Sequence, residues 1–128
     1  MRKKQYYLIL SIAIIIIGAL IFWAASKPKK AEAPVVPADE TIYYYGENCP
    51  HCQDVDQYIV DNDIDQKVKF TKKEVQYNSA NARELLSRDK ECAISGSDAG
   101  AFPLVYDKGK CFLGSPEVIN FFKNKAGI

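Results

Sequence analysis

Between Tyr6 and Ala25 the chain runs for twenty residues without a charge, broken only by Ser11 and Gly18. As a helix rising 1.5 Å per residue, such a run spans about 30 Å, the thickness of a bilayer's hydrocarbon core. Tyr6, Tyr7 and Trp23 stand near its ends, where amphipathic rings sit at headgroup level, and Arg2, Lys3 and Lys4 precede it. Residues 1–5 therefore read as a basic N-terminal tail and residues 6–25 as a transmembrane anchor. The rival reading is a cleaved signal peptide, but its apolar core is shorter, roughly 7 to 15 residues. The one small-residue site, Ala24-Ala25-Ser26, leads straight into Lys27-Pro28. A retained anchor is expected.

Charge does not orient this segment, because Lys27, Lys29 and Lys30 after it balance the three basic residues before it. Residues 26–39 contain Pro28, Pro34 and Pro37 among Ala and Val, the composition of a semi-rigid stalk. Residues 1–39 hold six Lys/Arg against two Asp/Glu, and residues 40–128 hold eleven against fourteen. The near-neutral total is a cancellation of two unlike parts. The only dense basic stretch of the second part is Lys67, Lys69, Lys72 and Lys73. No one-faced basic stripe exists for a phosphate backbone, so nucleic acid is excluded as a partner and the lipid bilayer is the expected one. Residues 40–128 are enough for one domain with a modest core.

In that domain Thr41-Ile42-Tyr43-Tyr44-Tyr45 is β-branched and aromatic throughout, as in a strand buried on both faces, and it ends at Gly46. Consecutive strand residues point to opposite faces, so the three tyrosines cannot form one stacking platform. Asn48 and Pro50 supply helix-start chemistry, and Cys52, Val55 and Ile59 recur at helical spacing up to Asp61-Asn62-Asp63. Lys67 to Thr71 alternates as a half-buried strand, and Ser79 to Lys90 follows as a helix carrying Leu85 and Leu86. Two strands, Pro103–Tyr106 and Lys110–Leu113, flank a three-residue hairpin loop, Asp107-Lys108-Gly109. The last helix opens with Ser115 as N-cap and Pro116 at its first position, and Val118, Ile119 and Phe122 form its apolar face. The expected class is α/β, in the order βαβαββα, with a mixed four-stranded sheet flanked by helices.

Cys49-Pro50-His51-Cys52 carries the chemistry. Two thiols separated by two residues at a helix start can close a small disulfide. The thiolate is the reacting species, and unpaired backbone N–H groups at a helix N-terminus stabilise its charge, so Cys49 is the expected nucleophile. Cys52, one turn further on, would attack the mixed disulfide and release the substrate. His51, the only histidine, would add positive charge beside the thiolate when protonated, favouring the reduced form and making the pair more oxidising. A four-thiolate zinc site would need Cys92 and Cys111 as further ligands. These are single cysteines nineteen residues apart, without the second C-x2-C of a zinc ribbon, so no metal site is expected.

Four features together resemble the thioredoxin/glutaredoxin superfamily over residues 40–128: the strand before Cys49-Pro50-His51-Cys52, the helix after it, Phe102-Pro103 opening a later strand, and Gly114-Ser115-Pro116-Glu117 turning into the last helix. The resemblance implies a thioredoxin fold in which Pro103 is a cis-proline facing the dithiol and shaping a peptide groove, with the backbone of Phe102 pairing with substrate. The CPHC spelling resembles DsbA-type oxidases, but no room exists between Cys52 and Pro103 for their large helical insertion. The short length, the Tyr-rich first strand and the Gly114 turn resemble glutaredoxins. Glutaredoxins typically have Thr-Val-Pro and Gly-Gly-x-Asp where this chain has Ala101-Phe102-Pro103 and Gly114-Ser115-Pro116-Glu117, which argues against a glutathione site. At the strand position where thioredoxins bury an acid, Tyr43 offers no carboxylate.

Four cysteines in residues 40–128 suggest two disulfides, one redox-active and one structural, Cys92 to Cys111. Closing a loop of about 20 residues stabilises a fold by roughly 3 kcal/mol in the chain-entropy model. Such a bond persists outside the reducing cytosol, which would place the N-terminus in the cytoplasm and the domain outside, at a cell surface or in a periplasm. The alternative keeps Cys92 and Cys111 as free thiols in a cytoplasm-facing, glutaredoxin-like reductase. The leading expectation is a membrane-anchored thiol–disulfide oxidoreductase. It would act on protein thiols or disulfides without a separate cofactor, and a membrane or soluble redox partner would reset it. A noncatalytic thioredoxin-like binding module, with the CPHC disulfide as a clasp, is the reading from another class.

Overall fold

A computed structural model describes residues 2–25 and 40–128 of the chain; the stalk expected over residues 26–39 lies outside the described residues. The chain divides into two compact units, one containing the N-terminal helix and the other the sheet. In the first, α1 runs Arg2–Ala25, and its helical backbone includes Arg2, Lys3 and Lys4. It is apolar around its whole circumference, with every described side chain exposed, and it is long and apolar enough to cross a membrane. Its one serine hydroxyl is satisfied internally, Ser11 donating to the Leu8 carbonyl at 2.9 Å.

The second unit is a mixed α/β domain. Its elements are β1 (Thr41–Tyr45), α2 (Pro50–Asp61), α3 (Ile64–Lys67), β2 (Thr71–Glu74), α4 (Ser79–Glu91), β3 (Leu104–Asp107), β4 (Lys110–Leu113) and α5 (Ser115–Ala126). The sheet order is β2-β1-β3-β4. β1 runs parallel to β2 and antiparallel to β3, and β3 pairs antiparallel with β4. The tyrosines of β1 part as period two requires. Tyr43 packs with Val55, Ile59, Val118 and Phe122 of α2 and α5, while Tyr44 packs on the other side with Leu85 of α4. Three layers result, α2 and α5 on one face of the sheet and α4 on the other.

Local expectations are corrected at three places. The strand expected at Lys67–Thr71 begins at Thr71, because the N–H of Val68 closes the short helix α3 on the Ile64 carbonyl at 2.8 Å and is unavailable to a ladder. Asp63, with φ of 49°, turns the chain into that helix and Ile64 anchors it in the core. The hairpin loop is two residues, Lys108 and Gly109, both at positive φ as the strand twist demands, and Asp107 pairs with Lys110 inside the ladder. Gly114 caps α5, so Ser115 is helical and Pro116 follows it. Glu117 reaches back to accept the Leu113 N–H at 3.2 Å, and Phe121 is buried beside Val118 and Phe122.

Candidate active site at the end of β1

The Tyr44–Leu104 register of the antiparallel β1–β3 pair brings the start of β3 beside the end of β1. Phe102-Pro103 therefore meets Cys49, fifty-three positions away in the chain in the case of Phe102. Gly46 lets them meet. A Cβ there would collide with the Phe102 ring, so only glycine fits between strand and turn. Asn48, expected to start the helix, instead fastens the turn to the β2–α4 loop. Its N–H donates to Gln76 Oε1 at 3.0 Å, and its side-chain amide donates to Tyr77 Oη at 2.7 Å.

Cys49 itself caps α2. Its backbone is extended, its carbonyl accepts the N–H groups of Cys52 and Gln53 at 3.0 and 3.1 Å, and its Sγ accepts the Cys52 N–H at 3.1 Å. Pro50 opens the helix, where the missing N–H costs nothing. Cys49 and Cys52 form a disulfide with Cα atoms 5.2 Å apart. Cys49 keeps 8% of its surface exposed and Cys52 1%, so both are buried and Cys49 is the less covered of the two. His51 is exposed on the first turn. The Phe102 carbonyl oxygen lies 4.0 Å from Cys49 Sγ, and the Phe102–Pro103 peptide is cis.

Beneath the pair, Tyr43 Oη donates to the Cys52 carbonyl at 3.4 Å. Burial, reinforced by the nearby Asp56 carboxylate, pushes the Tyr43 hydroxyl well above its ordinary range, so it stays a neutral donor. Asp56 pairs with Lys72 at 2.8 Å, and Lys72 lies over the Tyr45 ring, 4.6 Å from its centroid.

A second disulfide joins Cys92, at the C-cap of α4, to Cys111 in β4, with Cα atoms 6.0 Å apart. Cys92 Sγ lies 3.9 Å from the Gly109 carbonyl oxygen and Cys111 Sγ 3.8 Å from that of Arg88. The four sulfurs are thus divided between two pairs. Among the described residues no group of three or more His, Cys, Asp and Glu side chains is arranged to hold a metal ion.

The structure gathers Cys49, Pro50, His51, Cys52, Phe102 and Pro103 at one end of the sheet and sets Cys92 and Cys111 apart from them. Sequence reasoning missed Gln76 and Tyr77, which hold the turn, and the hydroxyl of Tyr43. It read Gly46 only as a strand end; a glycine three residues before a buried cysteine was the available signal of a close approach. Comparison of the chain with protein-family models, curated proteins and solved structures finds no match.

Proposed function

We propose that this protein is a membrane-anchored thiol–disulfide oxidoreductase with a thioredoxin-like fold, exchanging disulfides with extracytoplasmic protein thiols through Cys49 and Cys52. The observation that carries the reading is the Cys52 N–H aimed at Cys49 Sγ at 3.1 Å on the first turn of α2. A fixed donor at a helix N-terminus favours a thiolate over a thiol, which makes Cys49 a good nucleophile and a good leaving group. The order of elements, the sheet order and the position of Phe102-Pro103 beside the dithiol support the thioredoxin-like assignment.

In the oxidising direction a substrate thiolate attacks Cys49 Sγ, the Cys49–Cys52 bond breaks, and Cys52 leaves with the electron pair and takes up a proton. A second substrate thiolate then attacks the substrate sulfur of the mixed disulfide, releasing an oxidised substrate and the Cys49 thiolate. In the reducing direction Cys49 attacks a substrate disulfide and Cys52 displaces the substrate from Cys49. Which direction prevails depends on the potential of the pair and on the partner that resets it. His51 adds positive charge beside the thiolate when protonated, favouring the oxidising direction. The Phe102 backbone, whose carbonyl oxygen is 4.0 Å from Cys49 Sγ, would pair with an extended peptide as it reaches Cys49.

The Cys92–Cys111 disulfide supports an extracytoplasmic domain, since such bonds are reduced in the cytosol. The apolar α1 supports retention in the bilayer, and an oxidised domain outside would leave the N-terminus cytoplasmic. The burial of Cys49 to 8% exposure favours the competing reading of an inert clasp.

Iodoacetamide alkylation of the reduced protein across pH, followed by mass spectrometry, separates the two. The oxidoreductase reading expects Cys49 to alkylate well below the value of about 8.5 for a free thiol. A Cys49 that titrates like a free cysteine overturns it. Cys52→Ala should then trap substrates as mixed disulfides on Cys49, and a membrane-impermeant thiol reagent applied to intact cells should label the reduced domain.

A further inference from the structure

Phe102 faces Cys49 from the end of a surface segment, residues 93–101, whose side chains are exposed or half-buried and whose one regular element is the 3-10 turn Gly96–Asp98. Segments with so few packed side chains open readily. A wall of a binding site built on one needs to be held. Asp89 holds this one at both ends: its main-chain carbonyl accepts the Ile94 N–H at 2.8 Å, and its Oδ2 accepts the Gly100 N–H at 2.6 Å, two residues before Phe102.

Asp89 is only 1% exposed, and its second oxygen, Oδ1, is buried without a hydrogen-bond partner among the described residues. A desolvated carboxylate with half of its acceptor capacity unused is costly to the fold. Burial pushes its pKa up, opposed by the Gly100 N–H. Stability alone does not account for such a group at this position. The neighbouring contacts converge on the same place. Cys92, three residues after Asp89, is bonded to Cys111 of β4, and at the end of β4 the Gly114 N–H donates to the Pro103 carbonyl at 2.9 Å. Phe102 and both of these cysteines pack against one core cluster.

Resting on the oxidoreductase reading, we propose that Asp89 is a positioning residue for peptide substrates: through Gly100 it sets where the carbonyl and ring of Phe102 stand relative to Cys49, and so how tightly an extended peptide is gripped. It takes no part in the sulfur chemistry. A small dithiol, which does not use the Phe102 wall, is indifferent to it.

The test compares the full chain in detergent micelles as wild type, Asp89→Ala and Asp89→Asn, with a short dicysteine peptide and with dithiothreitol as substrates. Asp89→Ala is expected to raise the peptide KM about tenfold while kcat and the dithiothreitol rate stay within about twofold. Asp89→Asn keeps an acceptor for Gly100 and should restore the KM to within about threefold of wild type. Equal slowing with both substrates, or an unchanged peptide KM, overturns the positioning role. Hydrogen exchange at the Gly100 amide of the wild type tests it even where Asp89→Ala does not fold: strong protection on this exposed segment supports it, and exchange at the unprotected rate overturns it. A wild-type chain inert toward both substrates overturns the oxidoreductase reading and this inference with it. An active wild type with an unchanged KM in Asp89→Ala overturns the positioning role alone.

Discussion

Cys49 Sγ receives a backbone N–H at 3.1 Å on the first turn of a helix, whereas Cys92 Sγ and Cys111 Sγ lie 3.9 and 3.8 Å from backbone carbonyl oxygens. The first pair closes a turn of four residues beside the surface, and the second fastens the end of α4 to β4 across nineteen positions. A donor stabilises a thiolate; an acceptor stabilises a neutral S–H and opposes a thiolate. On the proposed reading, this placement suits one of two identical covalent bonds to exchange and the other to persistence. Each pair has a backbone carbonyl about as near, that of Phe102 at 4.0 Å in the case of Cys49, so the distinguishing feature of the first is its N–H donor, and only the second constrains a long stretch of chain.

The sharpest way to break this contrast is to delete each pair and read both rate and stability. Cys49→Ser should lower exchange with a small dithiol to the uncatalysed background. The double variant Cys92→Ser/Cys111→Ser should keep that rate to within about threefold, because its sulfurs lack the donor that makes a thiolate. A folded double variant that no longer exchanges would show that the second pair takes part in the chemistry. Stability should respond in the opposite order. Loss of Cys92–Cys111 should cost about 3 kcal/mol by urea unfolding, the chain-entropy value for its loop, and loss of Cys49–Cys52 clearly less, since its ring joins residues that are already close. Equal losses would erase the distinction.

The two pairs were unequally legible in the sequence. The dithiol could be read because its chemistry is local: spacing, proline and helix start lie within four residues. The architecture could be read because β1 is apolar throughout and α2 and α5 keep helical spacing. The supports around the site could not. Gln76 and Tyr77 reach Asn48 across twenty-eight and twenty-nine positions, a proximity that only the parallel β1–β2 pairing creates. The face of α4 that meets the sheet was hidden for another reason. Glu84, Arg88 and Asp89 are buried there beside Leu85, while Leu86, half of the expected apolar pair, is largely exposed. A hydrophobic pattern finds apolar burial, and here two of the three buried charges are matched instead: Glu84 takes two bonds from Lys73 at 2.8 Å and one from Tyr44 at 2.7 Å, and Arg88 pairs with Glu91 at 2.9 Å, while Asp89 takes the Gly100 N–H at 2.6 Å on one oxygen. The short helix α3 was missed because four residues carry too little periodicity to register.

Two matched hydroxyl deletions sharpen the comparison at smaller cost. Tyr43 Oη donates to the Cys52 carbonyl beneath the first pair, and Tyr106 Oη donates to Glu91 at 2.8 Å near the second. Burial pushes both phenols above their ordinary range, so each is a neutral donor at any pH used for assay. Tyr43→Phe and Tyr106→Phe should each lower stability by about 1 kcal/mol, the usual worth of one such bond. Only Tyr43→Phe should alter the exchange rate, read with a small dithiol at fixed pH. A rate effect from Tyr106→Phe would couple the second pair's surroundings to the site.

The smallest effect concerns acid, at the strand end next to Cys111. Asp107, paired with Lys110 in the ladder, accepts hydrogen bonds from Lys125 at 2.7 Å and from Thr41. Burial acts to raise its pKa, but these two bonds outweigh it and hold the carboxyl below its ordinary value. A carboxyl depressed in the folded state contributes stability that is fully present above its unfolded pKa of about 3.9 and is lost as pH falls through the lower folded value. Lys125→Met removes the cation, so wild type should be the more stable at neutral pH by at most about 1 kcal/mol, the range of a partly exposed pair. The difference should shrink as the solution is acidified below about pH 4, where the carboxyl protonates. Urea unfolding of both proteins across that range measures it, and a difference that grows on acidification would exclude Asp107 as the partner. Cys49 exchange at neutral pH should not change, since the pair joins the end of β3 to α5 and leaves the α2 N-terminus untouched.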